Sequence, residues 1–460
     1  MTTVVGAPQL ANLLGEWAGD GVLPDSLATS IAQLIDSGLI AAGSLLPPQR
    51  RLGEALGVSR GTVASAYGRL EAEGYLIARQ GSGCRVRSRG RHRLASDGRM
   101  FSFTQAELQD LSSGALPASH VARAVLQETR GDVLGPYLET DGYFPAGLPV
   151  LRSAIADRLT RDGIPTSPRE ILVTSGAQQG TWLSFLSTLT AGDLVLVEEP
   201  TYRGALSALA AVGARVEGVR LSADGIDADL VGRGAARGAT LLYCQTSVHN
   251  PTGISHTASA RAALADVAVR TGMTVVEDCC SHDLTLHGRP TAPTLAALVP
   301  PSQLVLVGTL SKLFWGGLRV GWIRADRDRI RGLVQLRKAT DLAVGVLNQL
   351  QATTLLGVAE EARIERRAFL GSALATTEDL VRSAFPSWQW RPVRGGPGLW
   401  IETGQDTVAL TEAGKRAGIK LAPGPSFSVY EGFRTHLRLP VWHERAPMEH
   451  ALQTLAALRV

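Results

Sequence analysis

The sequence predicts two domains of different class: a small helical module closed by a β-hairpin, then a larger α/β domain built on a mainly parallel sheet. Three observations carry this. Residues 20–90 hold short helical patterns separated by a glycine turn, followed by two strand-like runs about a second glycine turn. From residue 111 onward, apolar strand-like runs alternate with helical stretches, the pattern of a sheet with helices on its faces. Between them, residues 89–110 are rich in Arg, Ser and Gly and lack periodicity, which reads as a linker.

Size and composition agree with this division. A chain of 460 residues has length for about three domains at roughly 150 residues each, and 45% apolar residues supply a large core. The formal charge of +4 is small for this length, so its distribution is the informative part. Six arginines and no acidic residue lie between Arg79 and Arg93, a local anion-seeking patch unless the run is a solvated linker. The four cysteines (Cys84, Cys244, Cys279, Cys280) make neither a disulfide framework nor a zinc spacing, and no metal is expected. The N-terminus lacks a basic start followed by an apolar signal core, and no apolar run approaches the ~18 residues that span a bilayer. A soluble cytoplasmic protein is expected.

In the first module, Leu27, Ile31, Leu34 and Ile35 recur at helical spacing, and Gly38 follows to stop the helix. Pro48 suits a first helical turn, where its missing N–H costs little, and Gly57 supplies the turn to the next helix. Ser59 is a natural N-cap for a helix from Arg60 to about Glu73, whose Val63, Ala66, Tyr67 and Leu70 form the buried stripe. Ser59, Arg60 and Thr62 lie toward its N-terminal or outward side, where base edges and phosphates are met. Arg50 and Arg51 precede the turn, and the segment 75–86 reads as a wing entered by Arg79 and tipped by Gly81 and Ser82.

The ordered set Leu46-Pro47-Pro48-Gln49-Arg50-Arg51-Leu52, then Gly57-Val58-Ser59-Arg60-Gly61-Thr62-Val63 with Ala66-Tyr67, then Gly81-Ser82-Gly83, strongly resembles the winged helix-turn-helix of GntR-type bacterial regulators. The resemblance implies a DNA-binding domain over residues 15–88. It assigns Arg50, Arg51, Ser59, Arg60, Thr62, Arg79, Gly81 and Ser82 to the DNA surface.

The second domain opens near Asp110-Leu111-Ser112-Ser113-Gly114 and carries its polar chemistry at strand ends. Ile171–Thr174 runs into Ser175-Gly176-Ala177-Gln178, where the amides of Ala177 and Gln178 start a helix and favour a phosphate. Tyr202 follows the next strand and either stacks on a flat heterocycle or packs as an ordinary core tyrosine. In His249-Asn250-Pro251-Thr252-Gly253 a fixed turn presents Asn250 as a donor to a phenolate oxygen. Thr274–Glu277 ends in Asp278, which could pair with a pyridinium nitrogen and keep that nitrogen protonated. The run Val305–Leu310 ends in two hydroxyls, Thr309 and Ser311, and in Lys312, one of only four lysines; Arg319 follows after Gly316 and Gly317. That arrangement suits a phosphate-bearing aldehyde: the amine forms a Schiff base while hydroxyls and guanidinium hold the phosphate.

In order and spacing these elements resemble fold-type I pyridoxal 5′-phosphate enzymes of the aspartate aminotransferase group, over residues 111–460. The implied fold is an α/β aminotransferase-like domain with a small C-terminal α+β subdomain. By the resemblance Lys312 carries the cofactor's Schiff base, Asp278 binds the ring nitrogen, Asn250 the 3′-oxygen, and Tyr202 stacks on the ring. Ala177, Gln178, Thr309, Ser311 and Arg319 hold the phosphate. Leu437-Arg438-Leu439-Pro440 resembles the motif whose arginine grips a substrate carboxylate bidentately, so Arg438 is assigned to the effector.

One position departs from the pattern. Many relatives place a tyrosine two or three residues after the ring-nitrogen aspartate; here Cys280 and Ser281 stand there, so one phenol donor is missing and efficient turnover is in question. Cys279 and Cys280 read as packing residues rather than redox sensors.

A GntR-type winged helix joined to an aminotransferase-like domain resembles the MocR subfamily of bacterial transcription regulators. The resemblance implies a pyridoxal-phosphate-dependent homodimer that binds an operator in double-stranded DNA and senses an amino compound, or the cofactor itself, through Lys312. The alternative is an aminotransferase with an accessory DNA-binding module.

Overall fold

The computed structural model describes residues 5–14, 17–18, 22–36, 40, 44–72, 75–79, 83–86, 108–128, 134–287 and 294–458. The chain divides into two compact units, Met1–Gly98 and Arg99–Val460.

The first unit packs four helices, α1 (Ala7–Leu14), α2 (Leu23–Asp36), α3 (Gln49–Leu56) and α4 (Arg60–Ala72), with a hairpin of β1 (Leu76–Arg79) and β2 (Gly83–Val86). Gly57 ends α3 in the left-handed region, φ 68°, where a Cβ would be strained. Pro48 stands at the N-cap of α3, one place before the expected first turn. Ser59 caps α4 by accepting the Thr62 amide at 3.0 Å. The α4 stripe Val63, Ala66, Tyr67 and Leu70 is buried with Leu27, Ile31 and Leu34 of α2, and the Tyr67 hydroxyl donates to the Pro47 carbonyl at 3.0 Å. Leu45 makes a single antiparallel bridge to Arg85 of the hairpin.

The expected start of this domain at residue 15 is too late. Leu10 and Leu14 of α1 are buried in the same core. Eight residues make barely two turns, too few for a helical period to be seen in the sequence.

The second unit begins with β3 (Gln109–Asp110), and its large sheet uses β4 (Ile171–Thr174), β5 (Leu194–Glu199), β6 (Arg215–Arg220), β7 (Ala239–Cys244), β8 (Thr274–Asp278), β9 (Leu304–Thr309) and β10 (Gly321–Arg324). The strand order is β4-β10-β9-β8-β7-β5-β6, with β10 alone antiparallel to its neighbours. Strands β4, β8 and β9 are covered on both faces, which explains their unbroken apolar runs.

A smaller antiparallel sheet orders β11 (Gln389–Trp390), β12 (Gly398–Glu402), β15 (His436–Pro440) and β14 (Ala422–Pro423), while β13 (Ile419–Lys420) pairs in parallel with β3. This is the expected α+β subdomain. It corrects the boundary at 110/111: Gln109 and Asp110, expected in the linker, form a strand of the second unit. A two-residue strand has no period to read.

Among the described residues no helix is long and apolar enough to cross a membrane, and no group of His, Cys, Asp and Glu is placed to hold a metal ion.

Candidate functional site

Parallel strands deliver their side chains to one end of the sheet. Asp278 closes β8 and is 4% exposed. A carboxylate so buried needs partners: Tyr243 on β7 donates its hydroxyl to Oδ2 at 2.6 Å, and the Cys280 amide donates to Oδ1 at 2.8 Å. No cation lies within ion-pair distance of Asp278 among the described residues, so a bound pyridinium would supply its missing counter-charge.

Lys312 follows β9 and donates from Nζ to the Gly114 carbonyl at 2.5 Å. Burial, reinforced by the charge of Arg438, lowers its ammonium from 10.5 to about 8, while Cys280 and Asp278 pull the other way. Burial and then Asp278 push the Cys280 thiol well above its usual range, so the group standing where relatives carry a phenol is a protonated thiol.

The phosphate end is built around the helix Ala177–Thr188. Its N-cap, Gly176 at φ 86°, offers no side-chain acceptor, so the first amides remain available to an anion. Arg319, itself left-handed at φ 52°, donates from Nη2 to the Ser175 carbonyl at 2.6 Å. A Cβ on Gly176 would come within 3.2 Å of that guanidinium, which shows how closely the two approach. Thr309 is 8% exposed and lies 3.0 Å from Ser311 Oγ, to which it donates. Thr309 Oγ1 also accepts the Ser311 amide at 3.1 Å, so the two hydroxyls hold each other at the end of β9.

Tyr202 donates to Gln178 Oε1 at 3.1 Å, and Gln178 Nε2 donates to the Gly204 carbonyl at 2.8 Å. The ring lies across Gly204, where a Cβ would come 2.4 Å from Cζ. Burial raises the Tyr202 phenol, and the charges of Cys280 and Asp278 raise it further.

Asn250 is held from behind. Its amide donates to Gln245 Oε1 at 3.0 Å, and the Gln245 amide donates to Glu198 Oε2 at 2.9 Å. Glu198 lies 3.0 Å from His256 Nε2 and 3.3 Å from His249 Nε2, all with fully buried side chains. Burial pushes the Glu198 carboxyl up, but the two imidazoles win and hold it at about 2. The Asn250 side-chain amide has its Oδ1 end buried with no partner; turned end for end, the amide presents at that place the Nδ2 donor that a phenolate oxygen needs.

Arg438 on β15 is 4% exposed and has no carboxylate within ion-pair distance among the described residues. Burial, then the neighbouring Arg203, lowers its guanidinium to about 10. Its Nη2 covers Gly114 so closely that a Cβ there would lie 2.2 Å away. Arg203 donates to the Ser112 carbonyl at 3.2 Å and lies 5.8 Å from the Phe427 ring centroid.

Asp278 ends β8, Thr309 ends β9 with Ser311 and Lys312 just beyond, Ala177 and Gln178 follow β4, Tyr202 and Asn250 follow β5 and β7, and Arg319 precedes β10. Arg438 comes from β15 of the small sheet, with its Nη2 over Gly114, whose carbonyl accepts from Lys312. Uncapped helix amides, an unopposed carboxylate, an orphan amide and a softened lysine together fit pyridoxal 5′-phosphate. Sequence reading missed Tyr243, Gly114, Arg203 and the Glu198–His249–His256 group. Tyr243 ends an apolar run in which a tyrosine reads as packing, and Gly114 reaches Lys312 across 198 residues of chain.

In the first unit, Arg50, Arg51, Ser59 and Arg60 are exposed and Thr62 is half-buried. Ser59 Oγ lies 2.9 Å from Thr62 Oγ1, and Arg50 pairs with Glu54 at 3.1 Å. Gly81 and Ser82 lie outside the described residues, as does the side chain of Arg79.

Comparison with known proteins agrees with both units. The family of bacterial regulatory proteins, gntR family, matches residues 23–86, and aminotransferase class I and II matches residues 106–455. The HTH-type pyridoxine biosynthesis transcriptional regulator PdxR of Corynebacterium glutamicum is 29% identical over 403 residues, 85% of this chain and 86% of its own. The 2-aminoadipate transaminase of Thermus thermophilus is 30% identical over 330 residues, 70% of this chain and 80% of its own. Among solved structures, the α-aminoadipate aminotransferase LysN of Thermus thermophilus, complexed with N-(5′-phosphopyridoxyl)-L-leucine, superposes with a TM-score of 0.70 at 26% identity, covering 78% of this chain and 95% of that one.

The molecule is therefore a GntR-type helix-turn-helix domain fused to a fold-type I aminotransferase domain. The chain belongs to the aminotransferase class I and II family and, by this fusion, to the MocR subfamily of GntR-type transcription regulators.

Proposed function

We propose that this chain is a transcription regulator whose DNA binding answers to pyridoxal 5′-phosphate and to an amino compound, acting as a homodimer. The observation that carries the reading is the surrounding of Lys312: a lysine lowered to about 8, close to Asp278 and Arg438, in a chain that also bears a capped recognition helix. The cofactor supplies an aldehyde and an electron-withdrawing ring.

The protein's own residues do the rest. Lys312 offers its amine, Asp278 keeps a proton on the ring nitrogen, and Asn250 meets the ring's phenolic oxygen. Tyr202 covers the ring, while Ala177, Gln178, Ser311 and Arg319, with Thr309 behind, take the phosphate. An effector whose amine is occupied at the cofactor leaves a carboxylate, and Arg438 is the buried, unpaired cation positioned to receive it. Arg50, Arg51, Arg60 and Thr62 form the DNA surface together with Arg79, Gly81 and Ser82, and Ser59 fixes the start of the recognition helix.

A ligand alters DNA binding only through different affinities for two arrangements of the protein. A transaminase with an accessory DNA module is the second reading, favoured by the presence of both Lys312 and Arg438; sustained keto-acid production would distinguish it.

Borohydride reduction of the cofactor-loaded protein followed by peptide mapping tests the assignment. The label is expected on Lys312 alone, and the yellow absorption is expected to vanish in Lys312→Ala. A label on Lys338, Lys415 or Lys420 would overturn the site.

A further inference from the structure

A cavity of about 450 Å³ lies between the carboxyl ends of β5 and β6 and the small antiparallel sheet. Its volume is in the range of roughly 300–1,000 Å³ that accommodates small molecules. Its walls include none of the residues assigned above to the cofactor or to the effector carboxylate, so its occupant is a separate question from the role of Lys312.

The small sheet explains the chemistry of one wall. Along β12 and β15, Leu399, Ile401, Leu437 and Leu439 turn into an apolar core. The alternate residues Trp400 and His436 face the cavity. Trp400 is the register partner of Arg438, so cavity and carboxylate site share one sheet face. Its indole stacks on His436 at 5.2 Å between centroids and meets the Phe433 ring edge-on at 5.7 Å. The wall is thus a rigid aromatic surface.

The charges around the cavity are unevenly satisfied. Glu402 pairs with His436 at 3.0 Å, and Glu199 accepts the Val429 amide at 2.9 Å and the Ser428 hydroxyl. Each carboxylate thus has hydrogen-bond donors of its own within the protein. Arg220 and Arg391 also line the cavity, and neither guanidinium has a hydrogen bond or ion pair with any described residue. Two exposed guanidiniums free of protein partners among the described residues thus stand beside an aromatic face, a combination that suits an anionic ring.

We propose that this cavity is a second small-molecule site that takes a planar aromatic acid, its ring against Trp400 and Phe433 and its acid group at Arg220 and Arg391. The opposite wall includes Pro200, two residues before Tyr202, and Thr252, two residues after Asn250. An occupant therefore touches the loops that carry cofactor-site residues and the sheet that carries Arg438, which gives a second metabolite a route to the same domain.

The test uses the full, cofactor-loaded chain and 1-anilinonaphthalene-8-sulfonate, a fluorescent aromatic acid. Saturable binding is expected, with competition by benzoate and none by benzyl alcohol at equal concentration. Arg220→Gln combined with Arg391→Gln, both exposed positions, should raise the probe's Kd at least about tenfold. Cofactor absorbance and the urea midpoint should not change in that variant. An unchanged Kd in the double variant, or equal competition by the neutral alcohol, would overturn the site. So would loss of probe binding in Arg438→Ala, which would place the probe at the carboxylate site instead.

Discussion

Lys312 must be neutral before its amine can attack an aldehyde, and an ordinary lysine is almost wholly charged at neutral pH. Burial beside Arg438 changes that by penalising the ammonium, which is lowered to about 8. The protonated form is favoured below that value and the reactive amine above it. Reattachment of cofactor to stripped protein should therefore accelerate with pH through a midpoint near 8. Arg438→Met removes a repelling cation and should move the midpoint upward, toward the ordinary lysine value. Stopped-flow absorbance across pH measures both; a wild-type midpoint near 10.5 would remove Arg438 and burial from the explanation. The same variant should lose its response to an amino acid while still taking up cofactor, because the carboxylate would be left without its buried partner.

At the scale of elements, the recognition helix and the ion network make separable predictions. Helix α4 starts cleanly because Ser59 caps it, which leaves Arg60 exposed at the amino end, where phosphates approach. Arg60→Ala should reduce the salt slope of operator binding by about one unit if it meets phosphate. If it meets a base, sequence preference should relax by about 1–3 kcal/mol. Fluorescence anisotropy at several salt concentrations distinguishes the two, and wild-type behaviour in both respects would remove Arg60 from the DNA surface.

In the second unit, Arg363 of the long helix Ala359–Ala384 is 5% exposed and donates to Asp283 at 2.8 Å and to Asp162 at 3.0 Å. Arg363→Leu leaves buried carboxylates short of a partner and should destabilise the domain by about 3–5 kcal/mol. Burial opposes the charge on Asp283, but Arg158 and Arg363 hold its carboxyl well below the usual range. Its stabilising contribution is thus complete above the ordinary carboxylate pKa and is lost as pH falls through the depressed value. The variant's urea midpoint should be lower at neutral pH, and the gap should narrow in acid. An equal midpoint at neutral pH would show the network to be dispensable.

For the whole molecule, much of the division into two units was legible because each carries ordered local signals. Gly57, Ser59 and the α4 stripe specify helix-turn-helix within twenty residues. The strand-end motifs likewise lie next to the strands that deliver them. Features depending on distant chain segments were not legible. Asp110 becomes a strand residue only when β13 lies beside it, and Arg363 reads as a solvated arginine until Asp162 and Asp283 enclose it. Tyr243 reads as core because its partner, Asp278, is on another strand.

In the proposed function, occupancy of the Lys312 site changes how the winged helix reads DNA. A footprint of the chain's own upstream region, with and without pyridoxal 5′-phosphate, tests it most directly when repeated with Lys312→Ala. The wild-type protein should give a protection pattern or affinity that changes with cofactor, whereas Lys312→Ala should give one pattern under both conditions. Identical wild-type footprints with and without cofactor, in protein shown by absorbance to have taken it up, would contradict the account.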